Sequence, residues 1–243
     1  MNPGVLVGLI DSGVRQAQQR HVQAARRFTL DAKGAVEQAA PNRDALDHGG
    51  VLAGLILAAA PTARLLNAQV FTDRITCAPA VIAAALDWAV AEGAQIINMS
   101  FGLHADRAVL RTACERALAG GVRLLAAAPA RGPAVFPASY DGVLRITGDA
   151  RCAPGQLSHL ASRQADFGAC PHPDPTAPGD QGRAGGGASI ATARVTGMAA
   201  AMAQAAAWAQ NHVLCGPGDR FADDLKSRAR FHGPERRQKS EHP

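Results

Sequence analysis

Aromatic residues are scarce in this chain: two Trp, one Tyr and seven Phe among 243 residues. The formal net charge is +5, yet no basic stripe interleaved with aromatics occurs, so no nucleic-acid partner is expected. Long apolar runs are also absent. The run at 5–10 stops at Asp11; it is too short for a membrane span and lacks the basic flank and cleavage site of a secretory signal. The alanine-rich stretch at 198–208 is interrupted by Gln204 and reads as a buried helix. No membrane partner and a cytoplasmic location are the expectation. The cysteines (Cys77, Cys114, Cys152, Cys170, Cys215) are odd in number and form no C-x-x-C pair. That argues against a zinc or redox motif and for reduced, mostly buried thiols. No Asp-x-Asp run suits calcium, and Gly185-Gly186-Gly187 precedes no lysine at phosphate-loop spacing. No metal, nucleotide or other cofactor is therefore expected.

Present instead are 47% hydrophobic and 19% charged residues, enough for a full core. The abundant alanine suits helices lying close on a sheet. Apolar runs at 5–10, 64–71, 95–99, 122–127 and 143–147 read as buried parallel strands. Helical stretches alternate with them at 49–60, 79–92 and 105–119, with Pro61, Pro79, Gly93 and Gly120-Gly121 as punctuation. This rhythm predicts an α/β fold: a mostly parallel central sheet with helices on both faces. Residues 152–187 read as loops with short strands, and a long apolar helix follows at 190–212. Residues 1–215 are expected to form one domain. Residues 216–243 are expected to be a polar tail, with one short helix at 221–231 and a frayed end.

Chemistry in such sheets gathers at the carboxyl ends of strands. Asp11 ends the first strand and can orient a base, bind a metal or cap its own loop. His48 opens a helix in Asp47-His48-Gly49-Gly50, where the two glycines allow a close approach to the imidazole. Gly54, inside that helix, suggests tight packing there, since glycine costs about 1 kcal/mol in a helix. Ser189 follows Gly185-Gly186-Gly187-Ala188 at the start of the long helix. A serine there is a preferred N-cap. It is equally a nucleophile beside free N–H groups and a positive dipole end. The G-x-S-x-G elbow is not matched, because Ala191 holds the last position. Asp, His and Ser in this chain order match one known order of the catalytic triad.

With these motifs the sequence resembles the subtilases. Val7-Gly-Leu-Ile-Asp11-Ser-Gly-Val14 is similar to the family's aspartate motif. Asp47-His48-Gly-Gly-Val-Leu-Ala-Gly54 is similar to its histidine motif, with Gly50 and Val51 for the usual Thr and His. Gly187-Ala-Ser189-Ile-Ala-Thr-Ala-Arg-Val-Thr-Gly197 resembles its serine motif. Between them fall Ala60-Pro61 through Val70, Ile96-Ile-Asn-Met-Ser100-Phe-Gly102, Phe136-Pro137-Ala138, residues 143–148 and Ala177-Pro178-Gly179, in the family's order. The resemblance covers residues 5 to about 209.

The resemblance implies a three-layer subtilisin-like fold and a serine endopeptidase. Asp11, His48 and Ser189 would be its triad. Ser100, Phe101 and Gly102 would pair with an extended peptide or protein substrate. Ala127, Ala128 and Pro129, in a stretch that begins at Ala126, would line the pocket for the residue before the cut. Ser189, Ala130 and Arg131 would form the oxyanion region, where the family's asparagine donor is replaced by Ala130. Ala193 and Arg194 replace the usual Pro and His. Little sequence precedes the aspartate, so narrow specificity or weak intrinsic activity is expected to limit damage. The leader-removing subtilases of peptide and cofactor maturation, including the kind that matures quinohemoprotein amine dehydrogenase, are similar in these respects. A dedicated precursor protein is thus an expected partner. The alternative is an inactive subtilase fold that escorts a bound peptide.

Overall fold

In the computed structural model, residues 4–173, 187–205 and 221–234 are described. The chain enters at the centre of one ten-stranded sheet. β1 (Leu6–Asp11) is followed by a 3-10 turn (Gln16–His21), β2 (Val22–Leu30), β3 (Val36–Ala39), α1 (His48–Ala59) and β4 (Arg64–Gln69). Next come α2 (Pro79–Ala91), β5 (Ile96–Met99), α3 (Ala108–Ala119), β6 (Arg123–Ala127) and β7 (Leu144–Gly148). β8 (Leu157–His159), β9 (Phe167–Ala169), α4 (Ala188–Ala205), α5 (Phe221–Ser227) and β10 (Phe231–His232) complete it.

The sheet order is β10-β8-β9-β7-β6-β5-β1-β4-β2-β3. From β2 across to β9 all neighbours are parallel. β3 pairs antiparallel with β2, and β8 antiparallel with β9. β1, β5 and β6 are buried along their whole lengths, which explains their unbroken apolar character. One side of the sheet is covered by a core that includes residues of α2 and α3, the other by one that includes residues of α1, α4 and α5. β1 distributes its side chains between them: Leu6 and Ile10 to the first, Val7 and Leu9 to the second. The connections leave β1 toward β4 on one side and then cross to β5 on the other. The carboxyl end of β1 is therefore a topological switch point, where α/β sheets open a crevice.

The expected strands and helices are present with shifts of one to three residues at their ends. β4 stops at Gln69 because the N–H groups of Val70 and Phe71 turn onto the Asp11 carbonyl. The long apolar helix begins at Ala188, two residues before the expected start, and its expected end at 212 lies outside the described residues, as does Cys215. Residues 15–46 carried no expected element, yet they form the 3-10 turn and the β2–β3 hairpin. Only Phe28 of β2 is buried, and a bulge between Val22 and Ala24 breaks its alternation. The hairpin turns on Asp31, whose carboxylate accepts from the N–H groups of Lys33 and Ala35 at 2.8 Å each.

The tail also differs from expectation. Its helix ends at Ser227 rather than 231, and Phe231–His232 adds a parallel strand to β8. Phe221 and Leu225 are buried in the α1–α4 core, and the Arg123 guanidinium lies 3.9 Å above the Phe221 ring. Residues 221–234 thus belong to the folded body, while 235–243 lie outside the described residues.

Gly54 does not mark the tight helix contact. A Cβ there would meet only the far end of Gln18, at 3.4 Å. The close approach is at Gly197 of α4, where a Cβ would stand 2.9 Å from both the Ala59 Cβ and the Ile56 carbonyl oxygen of α1. Gly54→Ala is therefore expected to stabilise the fold by about 0.5–1 kcal/mol through helix propensity. Gly197→Ala is expected to destabilise it by about 1–3 kcal/mol through overpacking. Urea melts of the two variants beside the parent check both signs.

Candidate active site

The site lies at the carboxyl ends of β1 and β5 and the start of α4. Asp11 is fully buried, and its Oδ1 accepts from the Ser12 N–H and pairs with His48 Nδ1, both at 2.7 Å. Its Oδ2 is buried with no hydrogen-bond partner among the described residues. His48 is the first residue of α1 and is 7% exposed.

Three contacts hold that helix end against the β1 loop. The Gly49 N–H donates to Ser12 Oγ at 2.8 Å, and the Gly50 N–H to Asp44 Oδ2 at 2.9 Å. These groups would otherwise be unpaired at a helix start. Gln69 Nε2 donates to the Ser12 carbonyl at 2.6 Å. At Gly49 a Cβ would lie 2.3 Å from the Gly13 carbonyl oxygen and 3.2 Å from Asp11 Oδ1. Only glycine lets the imidazole reach the carboxylate. Preceding it, Asp47 adopts a left-handed conformation (φ 55°) and is gripped by Arg15 through two 2.7 Å bonds.

Burial lowers the pKa of His48, but the hydrogen bond from Asp11, its charge and that of Asp44 outweigh burial. The net shift is upward from 6.5.

Ser189 is the second residue of α4. Its Oγ donates to the Ser100 carbonyl at 3.0 Å, and Ser100 Oγ donates to the Ser189 carbonyl at 3.2 Å. A buried chain continues the link: Asn98 Nδ2 donates to Ser100 Oγ (2.9 Å), and Thr196 Oγ1 to Asn98 Oδ1 (3.0 Å). β5 and α4 are thereby fixed to one another around Ser189. Among the described residues no hydrogen bond joins His48 to Ser189; the serine hydroxyl rests on Ser100 instead.

Ser100, Phe101 and Gly102 follow β5. Ser100 and Phe101 are buried, whereas Gly102 is exposed, and among the described residues its N–H and C=O bond to no other group. Ala127 ends β6; Ala128 is buried, Pro129 is half-buried, and Ala130 and Arg131 are exposed beyond it. Ala130 presents no side-chain donor. A cleft of about 620 Å³ adjoins this loop, lined by Ala130, Arg131, Thr147, Asp149, Gly187 and Ala188 among others. Arg194, on the nucleophile helix, donates to the carbonyls of His172 (2.7 Å) and Pro173 (3.0 Å), so it clips the neighbouring segment to α4. Ala177-Pro178-Gly179 and Gly185-Gly186 lie outside the described residues.

Sequence reasoning missed the supporting residues Ser12, Asp44, Gln69, Asn98 and Thr196. A polar residue inside an otherwise apolar strand, as at Gln69 and Asn98, was the available signal. Thr192 and Thr196, four apart on an apolar helix, were another.

The model of the subtilase family matches residues 2–217. The chain belongs to the subtilase family. Among curated relatives, subtilisin DY of Bacillus licheniformis is 28% identical over 160 residues, covering 58% of this chain and 55% of that protein. The thermostable alkaline protease of Halalkalibacterium halodurans is 27% identical over 154 residues, covering 59% and 41%. The chain thus spans about half the length of the curated relatives it matches. Among solved structures, sphericase superposes with a TM-score of 0.67 at 20% identity, covering 95% of this chain and 86% of that one. A lanthipeptide protease gives 0.61 at 17% identity, covering 92% and 80%. These likenesses establish the subtilisin-like fold.

The upward shift at His48 has a defined pH consequence. Its stabilising contribution is full below the unfolded-state pKa and fades as pH rises through the higher folded-state value. An NMR titration of the His48 ring should give a midpoint above 6.5. In Asp11→Asn, which leaves burial opposed mainly by Asp44, the midpoint should fall below that of the parent.

Proposed function

We propose that this subtilase is a serine endopeptidase that cuts a specific precursor, removing a leader or maturing a peptide, in the cytoplasm. The buried 2.7 Å bond between His48 Nδ1 and Asp11 carries this reading. It fixes the ring so that Nε2 is the free nitrogen, at the same sheet edge as Ser189. In the proposed reaction Ser189 Oγ attacks the scissile carbonyl carbon while His48 Nε2 takes its proton. His48 returns that proton to the leaving amine as the C–N bond breaks. Water then hydrolyses the acyl-enzyme by the same relay. Asp11 holds the ring tautomer and stabilises the imidazolium. Swinging the serine hydroxyl from Ser100 to His48 needs one change of χ1, and catalytic hydrogen bonds often tighten only with substrate bound.

The substrate lies extended along Ser100-Phe101-Gly102 and adds a strand to the sheet. The free backbone groups of Gly102 support this. A cytoplasmic setting is supported by Cys77, Cys114, Cys152 and Cys170, which are all free. Burial pushes the Cys77 and Cys114 thiols up to about 12 and Cys152 to about 11, so these are inert thiols. A leader-removing role is supported by the fold likeness to a lanthipeptide protease.

A second reading has its own observation. The resting Ser189 hydroxyl bonds Ser100, and Ala130 offers no donor, as in a fold that binds peptide without cutting it. A fluorophosphonate probe separates the two. The peptidase is labelled, and Ser189→Ala is not; a folded parent that resists the probe is an escort. Pull-down with Ser189→Ala should retain the uncut precursor.

Loss of one oxyanion donor typically costs about 10²–10³ in turnover. Ala130→Asn is accordingly expected to raise the rate of precursor cleavage by up to about 10², read in a time course by mass spectrometry.

A further inference from the structure

β5 and β6 part company where the nucleophile sits. Met99 still pairs with Ala126. Beyond that level Ala127 and Ala128 stay with β7: Ala127 pairs with Ile146, and the Ala128 N–H donates to the Ile146 carbonyl at 2.8 Å. The β5 side instead runs on to Ser100, whose carbonyl holds Ser189 Oγ. A crevice therefore opens between Ser100-Phe101-Gly102 and Ala127-Ala128-Pro129, with Ser189 at its mouth. A peptide laid along the first segment, with its reacting carbonyl at Ser189, directs the preceding side chain into this crevice.

The crevice has a floor that the sequence reading did not include. The segment at 135–137 is pinned to Leu103 by an antiparallel bridge, with the Leu103 N–H on the Phe136 carbonyl at 2.7 Å and the Phe136 N–H on the Leu103 carbonyl at 2.9 Å. The Val135 carbonyl is held as well, by Ser139 N–H at 3.0 Å and Ser139 Oγ at 2.8 Å. Val135 itself is 8% exposed and belongs to the same core cluster as Phe101 and Ala128. Its Cγ2 and Cβ lie 2.9 and 3.1 Å from where a Cβ on Gly102 would stand. The valine methyl groups press directly on the substrate-facing segment. A β-branched side chain on a backbone held at two points has little freedom to swing away.

We propose that Val135 sets cleavage specificity: it closes the floor of this crevice so that only glycine or alanine fits immediately before the scissile bond. The inference rests on Ser189 being the nucleophile, and its test keeps the two apart. Aminoalkyl phosphonate diphenyl esters bearing the side chain of alanine or of phenylalanine acylate-mimic the site: the serine Oγ displaces phenoxide at phosphorus, so labelling needs one chemical event and no turnover. The parent protein should react with the alanine reagent about 10–200-fold faster than with the phenylalanine reagent, the discrimination a sterically closed apolar pocket provides. Val135→Gly should lower that ratio at least tenfold, and Val135→Ala should lower it by less, with circular dichroism confirming that each variant folds. Equal rates for the two reagents in the parent would overturn the inference even if Val135→Gly failed to fold. An unchanged ratio in a folded Val135→Gly or Val135→Ala would overturn it too. A small fluorophosphonate, which needs no pocket, is the control: if Ser189 ignores it, the peptidase reading fails and this inference goes with it.

Discussion

The site depends on how closely the first turn of α1 approaches the loop after β1. A side chain at Gly49 would collide with the Gly13 backbone before the imidazole of His48 came within hydrogen-bonding range of Asp11. The approach is made tolerable by exchange of partners rather than by apolar contact. Ser12 Oγ and Asp44 Oδ2 accept from two N–H groups at the start of α1, and Gln69 ties down the Ser12 carbonyl. Buried polar groups left without such partners would cost about 1–3 kcal/mol each. The loop, the helix start and β4 therefore form one unit, and the imidazole is oriented before any substrate arrives.

The serine side is built by another device. Asn98 interrupts the apolar strand β5, and Thr196 interrupts the apolar helix α4; the two meet in the interior and continue to Ser100 and Ser189. Such a network gives a helix–sheet contact a single register, which greasy packing alone leaves less sharply defined. It also fixes where the start of α4 stands relative to the end of β5. Arg194 adds an outer clip to residues 172 and 173.

Much of this was legible from residue order. Fully buried parallel strands announce themselves as apolar runs, and Asp11, His48 and Ser189 each sit at the junction of such a run or helix with glycines. What stayed hidden has a physical reason in each case. β2 buries only Phe28, so its period-2 signal is weak. β10 is two residues long, and its pairing with β8 is set by tertiary contact rather than by propensity. Gly54 and Gly197 look alike in sequence, both glycines in apolar helices, and only the α1–α4 crossing tells which of them is needed. Val135 is an ordinary valine whose importance comes from the bridge beside it, a pairing of residues 33 apart that no local pattern encodes.

The departures from the family pattern bear on one another. Ala130 removes a donor from the place where transition-state charge would develop, and a shallow crevice beneath Gly102 removes the large apolar contact that a bulky side chain before the cut would make. On the proposed reading, neither loss can be recovered at the reacting carbonyl itself. Orientation must then come from binding farther along the substrate, where contacts to remote residues hold the peptide in place and lower the barrier indirectly. A long precursor matched to that surface satisfies this condition, while a short or unrelated peptide does not. Selectivity for one partner and slowness toward all others are thus two consequences of the same pair of substitutions.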